Sequence, residues 1–222
     1  MSVRACLVLL FLAAAVDLTG QRPTHVLFPP EDLGFLESPD REEWQQPDIV
    51  MDALNIAEGS RVADVGAGGG WFTIRLARRV GPGGRVYAED VQRQMIESIQ
   101  RRIADDDRLS RNVVTVLGTA DDPRLPPGLN AVLIVDAYPQ FQNPVTVLGH
   151  VAKALAPNGR LGIVDFKTDG AGGPGPPLDQ RVDSSTVKLE AARAGLALLE
   201  EKALRYQYLL VFGVERRRLQ AK

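Results

Sequence analysis

The stretch VADVGAGGGWFT, residues 62–73, places four glycines within five residues, directly behind an acid that ends an apolar run. Glycine costs conformational entropy wherever the chain is ordered. A cluster of it in such a place implies a tight turn with positive φ angles, or a backbone that something must approach closely. The residues that follow, Trp71, Phe72, Ile74, Leu76, Ala77 and Val80, recur at near-helical spacing. Strand, glycine turn and helix in succession is the feature that most limits the fold, because it starts a parallel strand–helix–strand unit.

The rest of the chain repeats the alternation. A helix is expected over 47–56, ahead of a strand at 61–65. The helix from about 70 to 80 is stopped by GPGG at 81–84. A second strand, RVYAED, covers 85–90. The next helix covers 92–106, with Met95, Ile96, Ile99 and Ile103 on one face. A third strand is expected at 112–118 and a fourth at 131–138. A helix carrying Val145, Val147, Leu148, Val151 and Leu155 follows and ends at Asn158-Gly159, and a fifth strand covers 160–166. These strands are continuous apolar runs, as expected where helices cover both faces of a parallel sheet. After the Gly/Pro-rich DGAGGPGPP, a helix from about Ser185 to 194 is capped by Ser184 or Ser185 and closed by Gly195. LALLEEKAL and YQYLLVFGV then read as an antiparallel hairpin. The expected fold is α/β, a doubly wound and mostly parallel sheet in one domain over 41–215.

Bulk composition removes several function classes. The net charge of −2 in 222 residues provides no basic field for nucleic acid. The basic residues Arg216, Arg217, Arg218 and Lys222 read as a solvated tail, 216–222. One cysteine, Cys6, and two histidines, His25 and His150, leave no disulfide framework and no Cys- or His-built metal site. The N-terminus has Arg4, then an apolar run over 5–16 with Ala13-Ala14-Ala15 at its end. This pattern fits a secretory signal peptide over 1–16 and is too short to span a bilayer comfortably. The expectation is an exported or periplasmic protein with no stable membrane span after cleavage. A short membrane anchor and a cytoplasmic protein are the alternatives. Residues 17–40 read as an extended lead-in.

The glycine turn discriminates between ligands. A dinucleotide fingerprint needs G-x-G-x-x-G, and the third glycine would fall at 71, where Trp71 stands. The spacing present is Gly66, Gly68, Gly70, with Asp64 two residues ahead. A nicotinamide cofactor is therefore disfavoured. D-x-G-x-G-x-G at the end of a first strand resembles motif I of the class I S-adenosylmethionine-dependent methyltransferases, and the resemblance extends over about 41–214. It implies a seven-stranded Rossmann-like sheet whose last strand is antiparallel, and S-adenosyl-L-methionine as cofactor. It also implies roles for residues. Asp64 would help hold the methionyl ammonium, and Gly66, Ala67, Gly68 and Gly70 would let the main chain pass close to the cofactor. An acid ending the second strand would grip the ribose hydroxyls. Glu89 and Asp90 compete for this place, and the similarity of VYAEDVQRQM to the family's VYAVDIQPEM favours Asp90, which can also cap the next helix. GTADD resembles the segment that reaches adenine, giving Asp121, with Ala120 lending backbone; Asp122 before Pro123 reads as a turn initiator.

At the other end, Asp136 closes the fourth strand where cofactor and substrate meet. PDREEWQQPD (39–48) and GPPLDQR (175–181) are similar to one bacterial subgroup, in which Trp44 either covers the cofactor or packs on the first helix, and Arg181 either contacts substrate or is solvated. The subgroup's histidine after the fourth strand is missing, and Asn130 stands where an aspartate commonly opens that strand. Asp136 or Tyr138 is then the candidate catalytic group, and a pre-ionised acceptor such as a thiolate needs no base. The expected activity is methyl transfer to a small molecule. A non-catalytic or regulatory protein that keeps the fold is the alternative.

Overall fold

The computed structural model describes residues 26–169 and 173–215. The leader read over 1–16, the first part of the lead-in, His25 and the basic tail lie outside the described residues. A 3-10 helix, Pro30–Glu37, comes first. It is followed by α1 (Arg41–Gln45), α2 (Pro47–Ala53), β1 (Arg61–Val65), α3 (Trp71–Val80), β2 (Arg85–Asp90), α4 (Arg93–Ala104), α5 (Asp107–Asn112), β3 (Val113–Leu117) and β4 (Leu129–Val135). A second short 3-10 helix, Tyr138–Gln140, leads to α6 (Pro144–Ala154) and β5 (Leu155–Phe166). A third, Leu178–Gln180, precedes α7 (Ser184–Arg193), β6 (Leu196–Ala203) and β7 (Gln207–Val214).

The seven strands form one sheet in the order β3-β2-β1-β4-β5-β7-β6. β1 pairs in parallel with both β2 and β4, while β7 runs antiparallel to β5 and β6. The chain winds outward from β1 in one direction and then from β4 in the other, so a crevice opens between them at the carboxyl ends of the strands, where ligands of such sheets bind. The central strands are apolar because both faces are covered. Val62, Leu76, Val86, Ile99 and Leu133 pack in one layer with α2 to α5, and Ala63, Val132, Leu148, Ile163 and Phe212 in the other with α6 and α7. Full burial of one such leucine or isoleucine contributes about 1.5–3 kcal/mol.

Five local departures from the sequence expectation have physical causes. The lead-in is helical rather than extended from Pro30 onward, its first turn holding proline, Glu31 and Asp32, which suit a helix start. α5 takes Asn112 out of the third strand, and the Asn112 amide donates to the carbonyls of Ala77 and Gly81 at the end of α3. α6 ends at Ala154, and Leu155 begins a twelve-residue β5 that includes the whole LAPNG segment. Pro157 cannot continue a helix. The cap of α7 is Asp183, whose side chain accepts from the Ser185 amide at 2.8 Å, rather than a serine. β4 stops at Val135 because Asp136 takes a left-handed φ of 56°.

Candidate functional site

At the carboxyl ends of β1, β2 and β4 lies a cleft enclosing about 1280 Å³ of empty space, the open solvent at its mouth included. The glycine turn forms one wall. Gly66 has φ 70°, and a Cβ on it would fall 2.5 Å from the Ala137 Cβ, so only glycine lets the segment after β4 close against the turn. Gly68 has φ 54° and aims its amide at Asp90 Oδ2, 3.0 Å away. Gly66, Ala67, Gly68 and Gly69 line the cleft; Gly70 does not, and serves as the residue before α3, packed on Ile99.

The lead-in and the start of α1 add further lining, packed against the glycine turn at Gly68 and Gly69. Leu27, Phe28, Leu36, Glu37 and Arg41 all face the cleft. Arg102 of α4 fastens this strap by donating to both Glu37 carboxyl oxygens, at 2.5 and 3.0 Å, and to the Gly69 carbonyl at 3.2 Å. Gln92 Nε2 adds a bond to the Phe28 carbonyl at 3.0 Å.

Three buried acids, Asp64, Glu89 and Asp90, and the partly exposed Asp136 face the same space. Asp64 accepts from Thr73 Oγ1 at 2.6 Å, and burial pushes its carboxyl up to about 6. Asp90 accepts from the amides of Gly68 and Gln92, and burial raises it as well. Glu89 is raised to about 8, by burial first and then by Asp90. Asp136 is raised to about 6 by burial, an effect opposed by Arg41. Behind it Asp165, also buried, is held well above the usual carboxylate range by burial and by Asp136. Arg41 is the one cation among the described residues lining the cleft.

Arg41 belongs to a closed ring of four side chains. Its Nε donates to Gln45 Oε1 at 3.3 Å, Gln45 Nε2 donates to Gln207 Oε1 at 2.6 Å, Gln207 Nε2 donates to Asp136 Oδ1, and Arg41 Nη2 meets Asp136 Oδ2 at 3.5 Å. Both glutamines are fully buried. Arg41 also lies over the ring of Trp71, 4.4 Å from its centroid, with Arg75 at 3.4 Å, a favourable cation–π placement. The bulky residue standing in place of a third fingerprint glycine thus becomes part of the cleft wall.

Of the residues selected from sequence, Asp64, Gly66, Ala67, Gly68, Asp90, Ala120 and Asp136 converge on the cleft. Asp121 is exposed outside the lining and accepts from Asn143 Nδ2 at 2.8 Å, tying the turn after β3 to the loop after β4. Tyr138 is fully buried outside the lining, and its hydroxyl donates to Glu190 Oε2 at 2.6 Å. Trp44 packs on Phe166 and Tyr206, with centroids 5.9 and 6.4 Å apart, and does not cover the cleft. Arg181 donates to the carbonyls of Pro176 and Lys167 and stacks on Phe166. His150 sits half-exposed on α6, 3.5 Å from Asp122. Asn130 accepts from the Arg61 amide at the far end of the sheet. Arg41, Gln45 and Gln207 were not anticipated. Only Arg41 and Gln45 carried a signal, as members of the PDREEWQQPD stretch.

Residues 63–161 match the family model described as a methyltransferase domain. The chain is 34% identical over 119 residues to an uncharacterised methyltransferase of Mycobacterium tuberculosis, covering 53% of this chain and 44% of that protein. It is 30% identical over 133 residues to the nocamycin O-methyltransferase of Saccharothrix syringae, covering 60% and 44%. The match thus spans less than half the length of these curated relatives. A solved structure of an S-adenosylmethionine-dependent methyltransferase from Aquifex aeolicus superposes with a TM-score of 0.77 at 25% identity, covering 83% of this chain and 98% of that one. Residues 63–161 are thus similar to a methyltransferase domain, and the fold is similar to that of an S-adenosylmethionine-dependent methyltransferase.

Proposed function

We propose that the protein transfers a methyl group from S-adenosylmethionine to a small-molecule acceptor. The observation that carries this reading is the cleft at the sheet's switch point, whose buried carboxyls outnumber its single guanidinium. Such a field favours a ligand bearing positive charge, and the sulfonium and ammonium of this cofactor supply it. When bound, the cofactor supplies a methyl group already activated by positive sulfur.

The chain's own residues then divide the work. Asp64 accepts from the ammonium, and Arg41 faces the carboxylate beside it. Asp90 keeps lone pairs free beyond those engaged by Gly68 and Gln92 and takes the ribose hydroxyls. Ala120 and its neighbours in the 119–123 turn support the base. Asp136, held by the polar ring at the mouth, takes the proton from an acceptor hydroxyl or amine. Raised to about 6, it is mostly ionised at neutral pH and hence competent as a base. The buried hydroxyl bond of Tyr138 to Glu190 makes Asp136 the better candidate of the two. The named O-methyltransferase relative supports an oxygen atom of a small molecule as the acceptor.

Calorimetry with S-adenosylhomocysteine and NAD tests the cofactor, with binding expected for the first alone. Transfer of labelled methyl to a panel of phenols, quinols and thiols tests turnover. No binding of S-adenosylhomocysteine at millimolar concentration overturns the reading. We also infer export from the leader pattern over 1–16; fractionation and N-terminal sequencing of the natural protein test it, and an intact N-terminus in the cytoplasmic fraction refutes it.

A further inference from the structure

Glu89 ends β2 beside Asp90 and, by the alternation of a strand, points to the other face of the sheet. It lines the cleft yet is only 2% exposed. Its Oε2 accepts from the Gly66 amide at a long 3.4 Å, and its Oε1 has no hydrogen-bond partner among the described residues. Asp90, by contrast, has both carboxyl oxygens engaged by main-chain amides. Room for the free oxygen exists because residue 118 is glycine: a Cβ there would lie 1.8 Å from Oε1. The turn that begins at Gly118 places Thr119, Ala120 and Pro123 on the same cleft. Buried polar atoms are nearly always paired, so an unpaired one on a residue that lines a ligand cleft points to a contact completed by the ligand.

We propose that Glu89 is a further cofactor-binding residue, its free Oε1 hydrogen-bonding the purine at the β2–β3 edge of the cleft. This rests on the cofactor reading above. With Asp90 assigned to the sugar, the turn after β3 would receive the base, and Oε1 lies against the Gly118 that opens this turn. The charged groups that act most strongly on Glu89 are acids: Asp90 on its own strand, Asp64 on β1 and Asp122 in the turn after β3. His150 from α6 reaches only Asp122. Burial and these neighbours keep the carboxyl protonated up to about 8. In that form Oε1–H donates to a purine ring nitrogen. The ionised form has no proton to give, so cofactor affinity falls as pH rises through that value.

The test is calorimetric titration of the full chain, at about pH 6.5 and about pH 9, with 5′-methylthioadenosine, whose nucleoside has no group titrating between those values. S-adenosylhomocysteine, read at about pH 6.5 alone because its amino group titrates near the higher value, replaces it if the nucleoside binds too weakly, and the leucine variant then decides. Wild type is expected to bind about tenfold more weakly at the higher pH. Glu89→Gln, whose amide is neutral and donates at both pH values, should keep affinity within about twofold throughout, and Glu89→Leu should lose about tenfold at the lower pH. Leucine binding as tightly as wild type, or glutamine weakening with pH as wild type does, overturns the assignment. If circular dichroism shows that the leucine variant does not fold, the glutamine comparison decides alone. A wild type that binds neither compound removes the cofactor reading and this inference with it, a result separable from either of the others.

Discussion

The two ends of the cleft are built on different principles. At the nucleoside end the fixed groups are close in sequence: Gly68 with Asp90 and Gln92 with Asp90, neither pair more than 22 positions apart. Much of that end is main chain, presented by the glycine turn of a single strand–helix–strand unit. At the methyl-transfer end the ring joins Arg41 to Asp136 across 95 positions, Gln45 to Gln207 across 162, and Gln207 to Asp136 across 71. That end exists only once the sheet is complete and α1 has docked on it. The nucleoside end should therefore respond to loss of its carboxylate or its glycines and to little else. The other should respond to removal of any member of its ring.

The largest expected effect divides the two ends directly. Asp90→Ala removes a carboxylate that anchors the Gly68 and Gln92 amides and is assigned to the ribose hydroxyls. Each hydrogen bond to a charged group contributes about 1.5–3 kcal/mol, so affinity for S-adenosylhomocysteine should drop at least ~100-fold. Asp136→Asn is expected to leave that affinity within about threefold, since asparagine also tolerates the left-handed φ. It should instead cut turnover ~100-fold on an acceptor that must lose a proton, and hardly at all on a thiolate. With aspartate in place, the turnover rate should rise with pH through about 6, where the carboxyl becomes ionised, and the asparagine variant should lose that step. Equal loss of cofactor binding in both variants would erase the distinction between the ends.

Gln207→Leu offers a smaller and purely structural test. It strips a partner from Gln45 Nε2 and from Asp136 Oδ1. Each buried group left unpaired costs about 1–3 kcal/mol, so the urea midpoint should fall by an amount corresponding to about 2 kcal/mol or more. Affinity for S-adenosylhomocysteine should stay within about threefold. A variant as stable as wild type would mean that the ring is not what holds α1 against the sheet.

This division also governs what could be read without a structure. The strands of the sheet are legible because burial on two faces demands continuous apolar runs, as in β4 and β7. Asp64, Gly68 and Asp90 are legible because a local turn fixes their spacing. α5 was not, since DRLSRN has a helix cap in Asp106 but only one buried apolar residue, Leu109. The arrangement of Arg41, Gln45 and Gln207 around Asp136 was not, because no periodicity links residues from α1, a strand end and the last hairpin. Trp44 shows the same limit: an aromatic beside a ligand motif has equal sequence grounds for covering a cofactor or filling a core, and here Phe166 and Tyr206 receive it. For Glu89 and Asp90, adjacency allowed only one to be chosen for the sugar. The structure shows that alternation along β2 puts them on different faces, each with its own access to the cleft.

The smallest expected effect concerns Tyr138, which adjoins the methyl-transfer end in sequence and does not line the cleft. Tyr138→Phe keeps the ring that packs at 5.6 Å from Phe141 and loses the hydroxyl bonded to Glu190. Glu190 is on α7 and partly open to water, which can replace the lost donor, so the cost should be only about 0.5–1.5 kcal/mol. Thermal unfolding should register it as a small decrease, while the S-adenosylhomocysteine affinity and the pH step near 6 stay as in wild type. A loss of turnover in the phenylalanine variant comparable to that of Asp136→Asn would require the tyrosine hydroxyl to exchange Glu190 for the acceptor. The proton-accepting role would then belong to a group that moves on binding, not to the carboxylate that the ring already holds in place.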